Sequence, residues 1–545
     1  MKIVKMDIKF CAILIIVNFT VIQIVHGSKI LAVFPIPFRE HQYIYRPLIE
    51  TLAQNGHEIL LLTTDPINFD HKDGTISGNN SLRYQIEQID LSFVYSLPAL
   101  DRLHDNHLAG PEMLKNVFDV LREISEAELQ YEPVRKLIQN NFNRQFDVVL
   151  VEWSGMTLMN VFAEKFNCPL IGITNAGAFI NSHEALGNPN HPICYPSIFM
   201  PFTDNLTLLQ RISSVFFSIW YRYYYFTEEI PQQNAIVKKY FDIDLPDLWE
   251  IENSADLLLI NSYIALGNVR PIVPTTIYLG GIHSKFNFVN RQQQQETLPY
   301  DLKLFIEQTV ADTDKPLVYV NLNNDYRSSR LQKLINALEM LNYNVIWNWN
   351  NGNAINTTLR IYQSTNLPQE DILANKHVKL FITDGGQRNI EDAIHYKVPV
   401  FGISYPRSLE HYFQQIEKHE AGVISFIDFE SELKFTDKLD VVLHSDSYQI
   451  NMNKLHRHVL DEPMTSLERA VWWINYVLRN NGTKHLHTTK LSWFQYFLLD
   501  VVLTLFILTS IVVCVFAYLL NKAIKYSKSL PFEMVTKGSR KCKVL

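Results

Sequence analysis

The stretch Leu380–Gly386 reads LFITDGG and joins a short apolar run to a pair of glycines. An amphipathic segment follows it and ends at Val398-Pro399, where the next apolar run begins. Apolar runs that alternate with amphipathic segments are typical of a parallel β-sheet covered by helices. The same alternation extends through both halves of the chain. We therefore predict an α/β protein with two doubly wound domains facing a cleft, with the ligand at the C-terminal ends of the strands.

Ten apolar runs are predicted to form the strands of these two domains. In the first half they are Lys29–Phe34, Glu58–Thr63, Asp147–Val151, Leu170–Thr174 and Asp256–Asn261. In the second half they are Leu317–Leu322, Asn344–Trp349, Val378–Thr383, Val400–Ile403 and Val423–Ile427. The polar, glutamine-rich segment between the halves reads as a linker. The predicted domains are therefore residues 28–283 and 299–480, with a linker at 284–298.

Both ends of the 545-residue chain carry segments outside these domains. Three lysines precede the apolar stretch Phe10–Val25, which predicts a secretory signal over residues 1–27; an uncleaved anchor is the alternative. Val501–Leu520 is twenty residues without a charge. A helix of that length spans about 30 Å, the thickness of the hydrocarbon core of a bilayer. We interpret it as a transmembrane helix followed by a tail at 521–545.

The tail predicts the orientation and the compartment. It carries seven lysines and arginines against one acid, Glu533, so the positive-inside rule places it in the cytosol and residues 28–500 in the lumen. Lys543 and Lys541 are third and fifth from the end, a spacing that resembles a dilysine retrieval signal. The sequence thus predicts a single-pass type I protein of the endoplasmic reticulum membrane.

The sequence also contains residues that can be modified in the lumen. Four Asn-X-Ser/Thr tripeptides are candidate N-glycosylation sites. They begin at Asn79, Asn205, Asn356 and Asn481. Of the five cysteines, only Cys168 and Cys194 lie on the predicted lumenal side, where they can form one disulfide at most.

Charge and composition exclude some classes of function. The net charge of −7 lacks the clustered basic excess of a nucleic-acid-binding protein. Asp242-Ile243-Asp244 mimics a metal-binding Asp-x-Asp, but no strand pattern supports it, and we predict no metal site. The aromatic cluster Tyr223–Phe226 lies on a predicted helix. It is interpreted as core or as a membrane-facing patch, with a lipophilic acceptor pocket as the alternative.

The segment from Leu367-Pro368-Gln369 to Gly422 resembles the signature region of UDP-glycosyltransferases, particularly the insect and viral members. The resemblance extends over nearly all the chain and includes Pro37 to His41, Gly280-Gly281, the single span and the basic tail. It implies the two-domain GT-B fold, in which the N-terminal half binds the acceptor and the C-terminal half binds the UDP-sugar. It also implies inversion at the sugar without a metal or a resident cofactor.

The resemblance assigns a catalytic pair. A histidine takes the proton of the acceptor hydroxyl, and an acidic residue holds the other ring nitrogen. The matching positions are His41, just after the first predicted strand, and Glu152, just after the strand Asp147–Val151. Both follow strand ends, so we expect them to meet at the cleft. Glu152 is one methylene longer than the aspartate of many relatives.

The UDP-sugar site departs from the family pattern. Substituted positions are Asn323 and Asn324 for glycine and serine, Asn366 for tryptophan, Asp384 for histidine, Asn389 for serine, Asp392 for glutamate, and Ser408 and Leu409 for the aspartate-glutamine pair. Gln369, Gly385 and Gly386 are retained. A carboxylate at Asp384 would repel a phosphate roughly 4 Å away by about 4 kcal/mol. We expect Asp384 to cap the following helix instead. Two or three such losses would weaken donor binding by about a thousandfold.

Two functions follow from this pattern. The first is a UDP-glycosyltransferase that transfers a hexose to small lipophilic hydroxyl compounds. The second is a non-catalytic relative that binds lipophilic ligands or pairs, as a homo- or hetero-oligomer, with active relatives in the same membrane. Arg388, His395 and Arg407 lie near enough in sequence to contact phosphates, but we expect them to be solvated surface residues.

Overall fold

The computed structural model describes residues 27–69, 85–104, 110–140, 143–175, 177–200, 202–203, 205–241, 245–267, 269–284, 298–312, 315–322, 328–349, 360–404, 410–488 and 492–529. Several predictions lie outside the described residues. They are the secretory signal, nearly all of the linker, the tail beyond residue 529, and Asn79, Asp242, Asp244, Asn323, Asn324, Asn356, Arg407, Ser408 and Leu409.

Two parallel β-sheets form the framework of the first 487 residues, one compact unit. The strands of the first sheet are β1 (Lys29–Phe34), β2 (Glu58–Thr63), β3 (Ile86–Asp90), β4 (Val148–Glu152), β5 (Leu170–Thr174), β6 (Leu257–Ile260) and β7 (Thr276–Tyr278). Those of the second are β8 (Leu317–Asn321), β9 (Asn344–Asn348), β10 (Ile361–Ser364), β11 (Val378–Thr383), β12 (Val400–Ser404) and β13 (Gly422–Phe426). The orders are β3-β2-β1-β4-β5-β6-β7 and β10-β9-β8-β11-β12-β13.

Helices cover both faces of each sheet. In the first half they are α1 (Arg39–Gln54), α2 (Gly110–Gln130), α3 (Glu132–Gln139), α4 (Val161–Phe166), α5 (Ile180–Leu186), α6 (Leu208–Tyr224), α7 (Ile230–Tyr240) and α8 (Leu248–Asn253). In the second they are α9 (Tyr300–Asp312), α10 (Ser328–Leu341), α11 (Gln369–Leu373), α12 (Gln387–Tyr396), α13 (Glu410–Lys418), α14 (Glu432–His444), α15 (Asp446–Leu460) and α16 (Ser466–Asn480). A π-helical turn, Tyr225–Glu229, joins α6 to α7.

The prediction of two parallel sheets is confirmed, and the ends of all ten predicted strands agree within one residue. Three strands were missed: β3, β7 and β10. Each lies at an edge of its sheet. Edge strands are half exposed, so they lack the continuous apolar run that marks a central parallel strand. The strand β10, for example, reads IYQS and is half-buried throughout.

Alternation along β1 shows how the first sheet is packed. Leu31 and Val33 point into a core shared with α2, α4 and α7. Ile30 and Phe34 point to the opposite face and pack against α1. Successive side chains of a strand point to opposite faces, so a strand covered on both sides must be apolar throughout. The central strands of both sheets are apolar on both faces for this reason.

The last helix of the first unit, α16, packs on the N-terminal half. Its residues Leu467, Ile474 and Val477 join the core cluster of β1 and α1. The hydroxyl of Ser466 donates to the carbonyl of Leu279 at 2.8 Å. α16 lies within the predicted C-terminal domain, residues 299–480, and its packing on the other half was not predicted, because sequence periodicity shows an apolar face but not its partner.

The second unit, Thr488–Leu545, contains α17 (Trp493–Tyr496) and α18 (Leu499–Ser529). α18 has 31 residues and is long and apolar enough to cross a membrane. It includes the predicted span Val501–Leu520 and continues beyond it at both ends.

Candidate active site at the interdomain cleft

His41 and Glu152 come together as their strand-end positions predict. β1 pairs with β4 in register, with Val33 opposite Val151. Glu152 is the last residue of β4, and α1 begins at Arg39, five residues after β1 ends. The carboxyl ends of parallel strands meet at one edge of a sheet, so both side chains lie at the same edge.

The two side chains form a short hydrogen bond. His41 Nδ1 lies 2.6 Å from Glu152 Oε1. The Glu152 side chain is fully buried, whereas the His41 side chain is 24% exposed. A carboxylate oxygen accepts, so Nδ1 donates the proton and Nε2 keeps its lone pair. This is the tautomer that a general base requires.

Neighbouring groups fix this pair. Tyr45 donates its hydroxyl to Glu152 Oε1 at 3.4 Å. The side-chain amide of Gln42 donates to the carbonyls of Phe34 and Ile36, which ties α1 to the end of β1. Because these bonds join α1 to β1 and β4, the orientation of the imidazole is set by the sheet rather than by a free loop.

A second buried carboxyl group lies near Glu152. Glu128 of α2 is fully buried, and neither of its oxygens has a hydrogen-bond partner among the described residues. Burial and the charge of Glu152 hold the pKa of Glu128 well above its usual value, so Glu128 is neutral. Glu152 also borders a small cavity lined by side chains of α2, including Leu121 and Ser125, and by Met156 and Met159. One side of Glu152 therefore faces a largely apolar environment.

In the C-terminal half, Gln369, Asn389 and Asp392 form one hydrogen-bonded cluster. The amide of Gln369 donates to Asp392 Oδ2 at 2.7 Å and to Asn389 Oδ1 at 3.0 Å. The amide of Asn389 donates to the carbonyl of Gly385 at 2.8 Å. The structure thus brings together four residues that the sequence assigned to the UDP-sugar site, but it satisfies them with one another.

His283 is a member of this cluster that the sequence analysis missed. Its Nε2 lies 3.0 Å from Asp392 Oδ1, and both side chains are fully buried. Burial acts to lower the pKa of His283, but the hydrogen bond to Asp392 and the negative charges of Asp392, Glu391 and Glu370 together outweigh burial and raise it. Burial acts to raise the pKa of Asp392, but the same bond and the charge of His283 lower it. The only sequence signal was the position of His283 directly after Gly280-Gly281-Ile282.

The glycine turn before α12 differs from the predicted one. Gly386, at φ 95°, is the N-cap of α12 and has no side chain that could cap the helix. Asp384 is not the N-cap residue, because two glycines with positive φ place the first helical residue three positions further on. Asp384 is buried. From the opposite half, Glu40 Oε2 lies 3.8 Å from the point that a Cβ on Gly386 would occupy. Negative side chains therefore lie near this helix N-terminus.

Arg388 and His395 are not the solvated surface residues that we expected. The Arg388 guanidinium stacks over the ring of Tyr43, 3.9 Å from its centroid, and lies 3.7 Å from Asp392. His395 is buried between the hydroxyls of Tyr263 and Ser284. Burial, with the charge of His283, lowers the pKa of His395 to about 3. Asn366 is exposed, with φ 53°.

The contacts of Tyr43 join the two halves. Besides stacking with Arg388, it donates its hydroxyl to Glu370 Oε1 at 3.3 Å. Tyr43 lies on α1 and Glu370 on α11, so this contact spans the cleft between the N-terminal and C-terminal sheets. No sequence pattern predicted this contact, because it joins residues that are distant in the chain.

The aromatic cluster on α6 divides between core and surface. Tyr224 and Tyr225 are buried, and the Tyr225 hydroxyl donates to Glu252 Oε1 at 2.9 Å. Tyr223 is 64% exposed and Phe226 37% exposed. They continue an exposed apolar face that includes Leu209, Ile212, Phe216 and Ile219. The core interpretation is therefore confirmed for two of the four residues.

Cys168 and Cys194 are both free thiols and do not form the disulfide that the sequence allowed. Asn205 and Asn481 are exposed. In the part of the chain that the structure describes, no group of three or more His, Cys, Asp or Glu side chains is placed to hold a metal ion.

Known proteins resemble this chain over almost its full length. UDP-glucosyltransferase 2 of Dactylopius coccus is 28% identical, covering 92% of this chain and 93% of that protein. An ecdysteroid UDP-glucosyltransferase of Mamestra brassicae nuclear polyhedrosis virus is 23% identical, covering 84% and 85%. Human 2-hydroxyacylsphingosine 1-beta-galactosyltransferase is 26% identical, covering 90% and 87%.

Solved structures show the fold. The glycosyltransferase of kitacinnamycin matches 83% of this chain and 99% of its own, with a TM-score of 0.51 and 13% identity. The glycosyltransferase VinC, solved in complex with dTDP, matches 83% of this chain and 100% of its own, with a TM-score of 0.51 and 14% identity. The predicted GT-B architecture, two α/β domains facing a cleft, is thereby confirmed.

The family described as "UDP-glucoronosyl and UDP-glucosyl transferase" matches residues 29–537. This match covers both sheets, the cleft between them and α18. The chain therefore belongs to the UDP-glucuronosyl and UDP-glucosyl transferase family.

Proposed function

We propose that this protein is a membrane-anchored, inverting UDP-glycosyltransferase that transfers a hexose to small lipophilic hydroxyl compounds. The observation that carries the proposal is the 2.6 Å contact between His41 Nδ1 and Glu152 Oε1. A buried carboxylate that orients a partly exposed imidazole is the arrangement that general-base activation of a hydroxyl requires. The family match supports a UDP-sugar as the donor.

The proposed reaction is a single displacement. The acceptor hydroxyl gives its proton to His41 Nε2 while its oxygen bonds to the anomeric carbon of the sugar. The bond from that carbon to the UDP oxygen breaks, and UDP leaves with the electron pair. Glu152 holds Nδ1–H throughout and stabilises the imidazolium that forms. These steps use no resident cofactor and no metal ion.

The names of the relatives support the substrate class. Two of them are called glucosyltransferases and one a galactosyltransferase, which supports a hexose. The galactosyltransferase is named for a hydroxyacylsphingosine, which is a lipid. The side chains that surround Glu152, including Ile36, Leu121 and Met156, are largely apolar, which supports a lipophilic acceptor.

A second candidate is a non-catalytic relative that binds lipophilic ligands or pairs with active family members. Its support is the hydrogen bonding of Asp392, whose two oxygens are already engaged by His283 and Gln369. Glu40, near the N-cap of α12, adds a carboxylate where a helix N-terminus would otherwise attract phosphate. Under this proposal the cleft keeps its fold but does not bind UDP.

Transfer assays with the full-length protein in detergent test the first proposal. The donors are UDP-glucose and UDP-glucuronate, the acceptors are phenols and steroids, and products are detected by mass spectrometry. We expect His41→Ala to abolish transfer and His458→Ala, an exposed histidine on α15, to leave it unchanged. Equal activity of both variants would remove His41 from the mechanism.

Calorimetry with UDP separates the two candidates. Micromolar binding by the natural protein supports the transferase. If it shows no binding while the Asp384→His, Asn366→Trp double variant binds, the non-catalytic proposal stands. The variant restores the histidine and the tryptophan of the family pattern, and an aromatic stack on a base contributes about 1–3 kcal/mol.

We also propose that α18 anchors the protein in the endoplasmic reticulum membrane with residues 28–500 in the lumen. The apolar composition of α18 and the basic tail support this orientation. Protease treatment of sealed microsomes should remove only the tail. Loss of the whole protein under the same treatment would reverse the orientation.

A further inference from the structure

Arg270 is a largely buried cation with no counterion among the described residues. It lies in the connection between β6 and β7, and its Nε and Nη1 atoms are buried with no hydrogen-bond partner among the described residues. No aspartate or glutamate of the described residues forms an ion pair with it. Burial lowers the pKa of Arg270 from its usual value, but a guanidinium starts so high that it stays charged.

Other largely buried guanidinium groups in this half have acidic partners. Arg122 Nη1 lies 2.6 Å from Glu229 Oε2. Arg222 Nε donates to Glu184 Oε1 at 2.8 Å. An unpaired buried charge is destabilising, and native structures rarely retain one without a reason. The absence of a described acidic partner at Arg270 is therefore an exception within this half of the molecule.

The side chains around Arg270 are donors or neutral groups. Its guanidinium lies over the ring of Tyr195, 5.0 Å from the centroid, and it interacts electrostatically with the phenol of Tyr278. The nearby His183 is buried; burial, followed by the charge of Arg270, holds the pKa of His183 well below its usual value. His183 is thus a neutral ring. Arg270, Tyr195 and Tyr278 are all half-buried, so solvent reaches this cluster.

We propose that Arg270, with the hydroxyls of Tyr195 and Tyr278, forms a binding site for an oxyanion: a carboxylate, sulfate or phosphate group. The planar fork of a guanidinium matches two oxygens of such a group, and phenol hydroxyls donate to the others. The bound anion supplies the missing counterion. The site does not depend on sugar transfer, because it contains neither His41 nor Glu152.

Two sources of the anion are compatible with the location of the site. Tyr278 is the last residue of β7 and so lies at the same edge of the sheet as the His41–Glu152 pair. The oxyanion is either an acidic group carried by the acceptor or an independent anion such as inorganic phosphate. Both present the same chemistry to Arg270.

Thermal unfolding of the full-length protein in neutral detergent tests the site. In a buffer without oxyanions, we expect Arg270→Met to be at least as stable as the natural protein, because it removes an unpaired buried charge. Added phosphate, sulfate or benzoate should raise the Tm of the natural protein by about 2 °C or more beyond any rise in Arg270→Met. Arg135→Met, an exposed site on α3, is the matched control for charge loss and should respond like the natural protein.

Equal responses of the natural protein and Arg270→Met would overturn the proposal, since sulfate and phosphate also stabilise proteins without binding a site. The source is identified by calorimetry with 4-hydroxybenzoate, 4-hydroxybenzyl alcohol and inorganic phosphate. Binding of the carboxylate about tenfold tighter than the alcohol, lost in Arg270→Met, assigns the anion to the acceptor. Binding of phosphate alone, lost in the same variant, assigns it to an independent anion. No Arg270-dependent binding of any of them refutes the site.

Discussion

His41 Nδ1 and Glu152 Oε1 lie 2.6 Å apart, although 111 residues separate them in the chain. Their proximity depends on the pairing of β1 with β4 and on the hydrogen bonds of Gln42 that fasten α1 to the end of β1. The sheet thus brings the proposed base and the carboxylate that orients it together before any substrate arrives.

Glu152→Gln should lower kcat by about a hundredfold or more with little change in KM. An amide can present its NH₂ to Nδ1 and so favour the tautomer whose Nε2 carries the proton, which cannot accept one from the acceptor. Glu152→Asp keeps the charge and should retain part of the activity. Steady-state kinetics of both variants would measure kcat and KM. A large rise in KM at constant kcat would contradict the positioning role.

Gly172→Ala should destabilise the protein by about 1–3 kcal/mol. A Cβ on Gly172 would lie 2.3 Å from the indole of Trp153. The indole cannot easily move, because Nε1 donates to Glu252 Oε1 at 3.1 Å. Gly267→Ala is the control, since its nearest contacts are at 3.9–4.0 Å. Chemical denaturation measures both variants, and equal midpoints would show that the indole can move aside.

The Glu252→Gln substitution should reduce the loss of folding stability that occurs as the pH rises. Burial raises the pKa of Glu252 from 4.5 to about 8, although Tyr225, Asn181 and Trp153 donate to Oε1. Between these pH values the folded protein binds more protons than the unfolded chain, so this group makes stability fall as the pH rises.

The measurement is the Tm of the natural protein and of Glu252→Gln at pH 5 and pH 8. Glutamine keeps the Oε1 acceptor and does not ionise, so the variant should gain stability relative to the natural protein at pH 8. Glu250→Gln, an exposed residue of the same helix, is the control. Parallel Tm profiles for all three proteins would show that Glu252 does not govern this dependence.

Tyr43 and Arg388 should be energetically coupled across the cleft. The guanidinium lies 3.9 Å from the ring centroid, a distance at which a desolvated cation–π contact contributes about 2 kcal/mol. A double-mutant cycle with Tyr43→Ala and Arg388→Ala should give a coupling of about 1–2 kcal/mol in unfolding free energy. Additive effects of the two substitutions would show that the halves are held together by other contacts.

Sequence patterns predicted the features that depend on buried strands. β1 and β4 are largely apolar runs, so the sequence shows where these strands end. The positions of these ends predicted that His41 and Glu152 lie at the same edge of the sheet. Edge strands such as β3, which reads IEQID, carry polar residues that face solvent and give no comparable signal.

Other features depend on partners that are distant in the chain. Asp384 is a good capping residue by type, but the positive φ angles of Gly385 and Gly386 move the start of α12 away from it. His283 and Asp392 are 109 residues apart, and only the folded chain shows that each satisfies the other. The sequence likewise does not predict that Arg270 is unpaired, because the absence of a hydrogen-bond partner among the described residues depends on the folded structure.

The return of α16 to the N-terminal half restricts how the cleft can open. The chain passes between the halves twice, through residues 284–298 and again between Leu460 and Ser466. Two covalent connections limit how far the halves can separate. A fragment that stops at residue 283 would lack α16 and would leave part of the apolar cluster of β1 and α1 exposed. The core of the N-terminal half is therefore complete only when residues 466–480 have been synthesised.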